Sequence, residues 1–230
     1  GLVGSEMCIR DRIYYIIYFV KIINEKNSLG LDICFKDYEN PLELFKEWFD
    51  EAKKTEINDP NALALATSSK NGIPSVRMVL LKDFNEKGFV FYTNLKSKKS
   101  QDIQSNPHAS MCFHWKSLLR QIRIVGELNN VPDKDADAYY NSRSYGSRIG
   151  AWASKQSTIL KDRDELYKSI NNFKKKFPDE KKVPRPPNWS GWNLSPKEIE
   201  FWLDGDNRIH QRLKYIKSKS SNWEKILLSP

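Results

Sequence analysis

The sequence predicts a mainly β protein with flanking helices, of the α+β class, whose strands form a barrel. Two observations lead to this prediction. Short apolar or alternating segments recur at close spacing, separated by turn signals such as Asn71-Gly72. Longer segments with helical apolar periodicity flank and interrupt them. With 230 residues, of which 39% are hydrophobic, the chain is long enough to bury a substantial core.

The first predicted element is an amphipathic helix over Pro41–Lys54. Leu42, Phe45 and Phe49 recur at helical spacing, and Asn40 is a suitable N-cap. Further helical patterns lie at Ser97–Ser105, about 134–142 and about 160–177. Eight segments have the length and composition of strands: Ala62–Ser68, Ser75–Lys82, Phe89–Thr93, Ala109–Trp115, Gln121–Leu128, Ile199–Leu203, Arg208–Lys217 and Trp223–Leu228.

Residues 29–230 are predicted to form a single domain that follows an extension. Residues 1–12 show no periodicity and resemble translated sequencing-adapter sequence. Ile13–Ile23 is far shorter than the ~20 apolar residues of a membrane helix, and no small-residue cleavage site follows it. We therefore predict that residues 1–28 are a non-native or disordered extension and that the protein has no membrane partner.

The net charge of +9 predicts an anionic partner. Nucleic acid, a membrane surface and phosphorylated small molecules all satisfy this charge. The basic residues are scattered through the predicted strands rather than collected in a tail, which argues against nucleic acid. The three cysteines include no Cys-x-x-Cys pair, so no disulfide framework or zinc site is predicted. Such cysteine usage favours a reducing cytoplasm.

The most distinctive basic segment is Asn207–Arg212. If it is a strand, Arg208, His210 and Arg212 share one face. Two guanidinium groups beside an imidazole repel one another unless an anion lies between them, and arginine suits phosphate or carboxylate. The alternative is a solvated strand face.

A second anion site is predicted at the start of the helix Ser97–Ser105. Lys98 and Lys99 stand in its first turn, where the helix dipole favours negative charge. A phosphate at this end would remove the mismatch, and Arg77 on a neighbouring strand could complete its site. The alternative is two exposed lysines.

A third set of anion-binding groups follows along the chain. Tyr139, Arg143 and Ser147 are spaced by four residues, so they share one helical face unless Gly146 ends the helix first. A phenol, a guanidinium and a hydroxyl suit an anion, and Lys82 could add a further positive charge.

Few residues in the chain are candidates for acid–base chemistry. No Ser-His-Asp arrangement, P-loop or dinucleotide fingerprint is present, and no metal site is predicted. A cofactor that carries the chemistry is therefore attractive. Gln121 and the segment Trp152–Ser157 offer amide and hydroxyl groups suited to the edge of a flat heteroaromatic ring.

Six motifs stand in the order and spacing of one known family. They are Arg77–Lys82, Phe91–Asn94, Arg120-Gln121, Ile149–Ser157, Glu200–Trp202 and Arg208–Arg212. Over about residues 40–230 the chain thereby resembles the pyridoxine/pyridoxamine 5′-phosphate oxidases. The resemblance implies a Greek-key-like, FMN-binding split β-barrel that forms a cytoplasmic homodimer with FMN at the interface. It also implies oxidation of pyridoxamine and pyridoxine 5′-phosphates to pyridoxal 5′-phosphate, with O₂ reduced to H₂O₂.

The resemblance also implies which residues form the site. FMN contacts fall on Arg77, Met78, Val79, Leu80, Leu81, Lys82, Tyr92, Thr93, Lys98, Lys99, Gln121, Gln156, Ser157, Trp202 and Arg212. Substrate contacts fall on Lys82, Tyr139, Arg143, Ser147, Arg208 and His210. Arg208 and His210 are implied to be the catalytic pair, because they would hold the substrate ring against the flavin.

The chain departs from the family pattern at three places. Lys98 replaces the usual arginine, the C-terminal Leu227–Pro230 lacks the usual arginine, and the substrate-covering N-terminal region is barely recognisable. Two alternatives stay open: a flavin- or pyridoxal-phosphate-binding protein without turnover, and a split-barrel flavin reductase with another substrate. Arg208 and His210 argue against the first alternative, and the set containing Arg143 argues against the second.

Overall fold

The computed structural model describes residues 26–230. Within this range the chain forms nine strands: β1 (Ala62–Ser68), β2 (Pro74–Leu80), β3 (Asp83–Asn85), β4 (Gly88–Asn94), β5 (His108–Trp115), β6 (Arg120–Asn130), β7 (Trp189–Leu203), β8 (Gln211–Lys217) and β9 (Trp223–Leu227). Five α-helices accompany them: α1 (Pro41–Thr55), α2 (Lys98–Ser105), α3 (Asp133–Ser142), α4 (Tyr145–Ala153) and α5 (Arg163–Lys176). The predicted α+β class with a β core is confirmed.

The strands form one antiparallel sheet in the order β2-β1-β5-β6-β7-β4-β3. Strand β8 pairs with the C-terminal half of β7, and β9 pairs with β8. The long strand β7 therefore carries β4 along its first half and β8 along its second half. A register shift between Val125 and Gly126 bends β6 where it runs along β7.

Helix α1 covers the apolar face of the sheet. Its N-cap Asn40 accepts a hydrogen bond from the Leu42 N–H at 3.0 Å, as predicted from the cap residue. The ring of Phe45 meets those of Phe89 and Phe113 edge-on at 4.9 and 5.4 Å. One continuous hydrophobic core results, and it extends along the chain from Leu31 to Tyr215.

Four local predictions are corrected by the structure. A short strand β3 lies between β2 and β4, where no strand was predicted, and β7 begins ten residues before the predicted Ile199. Residues 145–153 form a separate helix, α4, with Ser144 as its N-cap, whereas the predicted helices did not include this element. The predicted strand Arg208–Lys217 starts only at Gln211.

The predicted extension 1–28 lies outside the described residues except for its last three. Of these, Asn27 accepts hydrogen bonds from the N–H groups of Leu29 and Leu31 at 2.9 Å and donates to the Phe35 carbonyl. Ser28 donates to Asp37 at 2.6 Å. Residues 26–28 therefore pack with the domain rather than with an extension.

Candidate functional site

The first cluster of polar side chains lies at the start of α2. Lys99 is buried, and its ammonium donates to three uncharged oxygens: Thr93 Oγ1 at 3.0 Å, Ser97 Oγ at 3.1 Å and Gln156 Oε1 at 3.3 Å. Burial, assisted by the nearby Arg77 charge, lowers the pKa of Lys99 from 10.5 to about 8. An anion beside this ammonium would relieve both effects.

Lys98 has a different environment from its neighbour. Its ammonium binds Asp102 one turn along the helix, and more than half of its side chain is exposed. Asp102 also accepts from Thr67 at 3.0 Å and Ser75 at 2.9 Å. Burial pushes the pKa of Asp102 upward, but the hydrogen bonds from these partners outweigh it, so the pKa lies below its ordinary value. The charge of Lys98 is thus already matched by a carboxylate.

Arg77 is anchored from the strand β2 beside this helix end. Its guanidinium donates to the Leu65 carbonyl at 3.1 Å and to Thr67 at 2.7 Å, and it lies 4.0 Å from Asp102. The predicted N-cap Ser97 precedes the helix, but its hydroxyl accepts from Lys99 instead of capping the backbone. The first-turn N–H groups of α2 therefore remain available to an acceptor.

The second cluster is a stack of aromatic rings beside this helix end. Tyr92 stacks on Tyr139 with ring centroids 4.1 Å apart and on Trp189 at 5.4 Å. The guanidinium of Arg143 lies 4.9 Å from the centre of the Trp189 ring. Burial lowers the pKa of Arg143, and its buried Nη1 has no partner in the described part of the chain. An unpartnered guanidinium nitrogen in a polar cleft suits an anionic ligand.

The prediction that Tyr139, Arg143 and Ser147 share one helical face is wrong. Helix α3 ends at Ser142, Arg143 is extended, and Ser147 belongs to α4. The turn between the helices nevertheless brings all three to one cavity of about 450 Å³. This cavity joins both clusters, and its lining includes Met78, Val79, Leu80, Lys82, Tyr92, Thr93, Lys99, Tyr139, Arg143, Ser147, Gln156 and Trp189.

The third cluster lies where β6, β7 and β8 meet. Trp202 pairs in register with Gln121 on one side and with Arg212 on the other. The imidazole of His210 packs on the Trp202 ring at 4.6 Å. Arg212 donates to Glu200 at 2.8 Å and to the Ser229 carbonyl at 2.9 Å.

The predicted strand face that carries Arg208, His210 and Arg212 is not formed. Arg208 ends a short 3₁₀ turn, and both it and Asn207 have left-handed backbones, with φ of 65° and 54°. Only Arg212 lies in β8. Arg208 is exposed, and its guanidinium makes no hydrogen bond to residues 26–230. The loop, rather than a strand, presents Arg208 and His210.

Two further predicted FMN contacts, Leu81 and Ser157, lie in different local environments. Leu81 is buried in the core, and its N–H and C=O are both bonded to Asn61. Ser157 follows α4 with a left-handed backbone, at a φ of 70°. Sequence reasoning missed Trp189, because its strand was predicted to start later. The two closely spaced tryptophans, Trp189 and Trp192, were the available signal.

The first and third clusters lie at opposite ends of β7. Thr93 pairs with Ser190 near its beginning, whereas Gln121 and Arg212 pair with Trp202 near its end. The stretch between Ser190 and Trp202 spans about 40 Å along the strand at about 3.3 Å per residue. The first and third clusters of one chain are therefore separated by most of the length of β7.

Comparison with protein families gives a match over most of the chain. The model described as pyridoxamine 5′-phosphate oxidase matches residues 49–202, and that described as the pyridoxine 5′-phosphate oxidase C-terminal dimerisation region matches residues 189–230. The chain belongs to the pyridoxamine 5′-phosphate oxidase family. The sequence-based family resemblance is thus confirmed.

Named relatives of this family align over nearly their whole length. The pyridoxine/pyridoxamine 5′-phosphate oxidase of Pelagibacter ubique is 64% identical over 208 residues, which cover 90% of this chain and all of the relative. The enzyme of that name from Allorhizobium ampelinum is 50% identical, over 85% of this chain and 95% of the relative.

Two solved structures share the fold. PhzG from Burkholderia lata, in complex with tetrahydrophenazine-1-carboxylic acid, superposes with a TM-score of 0.80 at 29% identity, covering 86% of this chain and 96% of that one. A pyridoxamine 5′-phosphate oxidase-related, FMN-binding protein of Nostoc punctiforme gives 0.67 at 20% identity, covering 83% and 98%. These similarities confirm the predicted split-barrel fold. Among the described residues, no helix combines the length and apolarity needed to cross a membrane.

Proposed function

We propose that this chain is an FMN-dependent oxidase that converts pyridoxamine and pyridoxine 5′-phosphates to pyridoxal 5′-phosphate. The substrate loses two electrons and two protons at the C4′ carbon and its hydroxyl or amino group, and O₂ takes them up to become H₂O₂. With the amine substrate, water then replaces the nitrogen, which leaves as ammonia. The observation that carries the proposal is that one cavity holds two cationic side chains, the buried Lys99 and the half-buried Arg143, together with a stack of aromatic rings. Two separate phosphates would match two such charges.

FMN fits the first of these cationic positions. Lys99, Arg77 and the free N–H groups at the start of α2 would hold its phosphate. The exposed face of β2 and the amide of Gln156 would line its ring system. Bound FMN supplies the two-electron acceptor that no side chain of this cavity provides.

The substrate phosphate fits the second cationic position. The buried Nη1 of Arg143 has no protein partner among the described residues, and Tyr139 and Ser147 line the same cavity. Lys82 lies 5.9 Å from the centre of the Tyr139 ring and would add a positive charge. We assign all four residues to the substrate.

We propose that a second copy of the chain completes each site. The cluster of Gln121, Trp202 and Arg212 is too far along β7 to reach the cavity of its own protomer. The edge strand β2 exposes Val76 and Met78, an apolar face that a partner would cover. The match to a C-terminal dimerisation region supports this arrangement, in which FMN would lie between the two protomers.

Within that arrangement, the loop residues Arg208 and His210 would act on the substrate. Arg208, exposed and without a side-chain partner in residues 26–230, would bind and orient the substrate ring. His210, held against Trp202, would hydrogen-bond to a polar group of that ring. Lys98 is assigned a supporting role, because Asp102 already binds its ammonium. We further propose that residues 29–230 act as a single domain in the cytoplasm, with Asn27 and Ser28 hydrogen-bonded to it. A core that runs from Leu31 to Tyr215 and cysteines in no disulfide motif support this proposal.

The direct test is purification followed by assay. The protein should be yellow, release FMN on denaturation, and produce H₂O₂ from either substrate in equal amount to pyridoxal 5′-phosphate. A protein that binds FMN but produces no H₂O₂ would support the non-catalytic alternative. A colourless protein that fails to take up added FMN would overturn the proposal.

A further inference from the structure

The loop between β7 and β8 contains a carboxylate–imidazole pair. Oδ1 of Asp204 lies 2.9 Å from Nδ1 of His210. The imidazole ring also packs on the Trp202 ring, with the two ring centroids 4.6 Å apart. Two contacts of different kinds thus fix the plane of the ring and the direction of one of its nitrogens.

The backbone of this loop is shaped to bring the pair together. A Cβ atom at Gly205 would lie 2.1 Å from the Ile209 carbonyl oxygen, so only glycine permits this approach of the two chain segments. The N–H of Asp204 donates to the Leu119 carbonyl at 2.9 Å, which anchors the carboxylate end of the loop. The left-handed residues Asn207 and Arg208 then return the chain to His210.

The pair determines which imidazole nitrogen carries the proton. A carboxylate only accepts hydrogen bonds, so the contact with Asp204 requires a proton on Nδ1. The Gly205 nitrogen lies 3.3 Å from the same Nδ1 and 3.1 Å from Oδ1 of Asp204. When Nδ1 is protonated, the Gly205 N–H therefore donates to the carboxylate. Nε2 of His210 makes no hydrogen bond within residues 26–230. In the neutral ring, this free nitrogen presents a lone pair.

We propose that Asp204 is a positioning residue that holds His210 as the Nδ1–H tautomer and so makes Nε2 a hydrogen-bond acceptor for the substrate. The expected effect of Asp204 on turnover rests on the proposed function. The expected effect of Asp204 on the imidazole tautomer does not. Without Asp204, the Gly205 N–H becomes the donor to Nδ1, and the proton moves to Nε2. Nε2 then donates where the substrate needs an acceptor.

The experiment compares Asp204→Asn and Asp204→Ala with wild type, and uses Asp206→Asn as a matched control. Asp206 lies in the same loop, and its carboxylate makes no ion pair or hydrogen bond to described residues. Nitrogen-15 imidazole spectra of the FMN-loaded protein report the tautomer, and His210→Gln identifies the His210 signals by their loss among three histidines. Flavin content and steady-state kinetics are measured on the same samples.

Asp204→Ala should shift the His210 proton from Nδ1 to Nε2 and lower kcat/KM about tenfold, the loss expected for one hydrogen bond. Asp204→Asn keeps an amide oxygen that can accept from Nδ1–H, so it should shift the proton less and lower kcat/KM less. Flavin content should be unchanged, and Asp206→Asn should match wild type in both measurements. His210 signals that are the same in wild type and both variants would overturn the inference. So would a shifted tautomer with unchanged kcat/KM. If wild type itself shows no oxidase activity, the proposed function fails, whereas the spectra still decide whether Asp204 sets the tautomer.

Discussion

Replacing Lys99 by methionine should change stability and cofactor binding in opposite directions. The pKa of Lys99 falls from 10.5 to about 8 in the folded protein. At about 1.4 kcal/mol per pH unit, holding this charge costs the flavin-free fold about 3 kcal/mol near neutral pH. Methionine removes that cost and also the three hydrogen bonds of the ammonium. Taken at about 0.5 kcal/mol each, these bonds offset about half of that cost, so we expect flavin-free Lys99→Met to be more stable than wild type by at most about 1–2 kcal/mol.

The same substitution should weaken FMN binding. Loss of a charged hydrogen bond to phosphate corresponds to about 1.5–3 kcal/mol, or about 10- to 100-fold in Kd. Urea unfolding of flavin-free protein at pH 7 and fluorescence titration with FMN measure the two effects. Lys98→Met is the matched control. Its ammonium is largely exposed and bound to Asp102, so we expect a stability loss within about 1 kcal/mol and little change in FMN affinity.

The pH dependence supplies a further check on the same residue. The folded-state pKa of Lys99 lies below its unfolded value, so between about pH 8 and 10.5 the unfolded chain binds more protons. Lys99 therefore makes the free energy of unfolding of wild type rise with pH across that interval. Lys99→Met lacks this contribution. A flavin-free Lys99→Met that is less stable than wild type, with unchanged FMN affinity, would refute this account of a charge kept for a ligand.

Three further predictions follow from the proposed site. Arg208→Ala should keep its flavin and lose about two to three orders of magnitude in kcat/KM, whereas Arg212→Ala should lose flavin. Steady-state kinetics and flavin stoichiometry measure both variants, and the reverse pattern would exchange the roles of the two arginines. Arg143→Gln should raise KM for the phosphorylated substrate at least tenfold with flavin content intact, and an unchanged KM would remove Arg143 from the substrate site. Deleting residues 1–25 should leave melting temperature and flavin content unchanged, because their sequence has no packing pattern. Deletion through Ser28 should lower the melting temperature, because it removes the hydrogen bonds of Asn27. A large stability loss in the shorter deletion would contradict this prediction.

The sequence-based predictions succeeded where a local signal sets the structure. The cap at Asn40 and the apolar stripe of α1 define a helix that needs few distant contacts to be recognised. Strand β1 alternates half-buried and buried side chains along its length, and its predicted bounds match. The sequence-based predictions failed where pairing with a distant strand sets the bounds of an element. Strand β7 continues back to Trp189 because β4 pairs with its first half, and the two tryptophans in that half do not by themselves indicate which strand pairs with it.

The sequence alone determined the basic character of the chain, the family resemblance and most of the charged groups that line the cavity. These depend on residue identity and order. Only the tertiary structure distinguished Lys99 from Lys98, because burial and the position of Asp102 separate two adjacent lysines of identical chemistry. It also moved Arg208 and His210 from a strand to a loop and brought Asp204 to the imidazole. Such distinctions arise from close approach of chain segments, which depends on backbone conformation and packing rather than on the local pattern of residues.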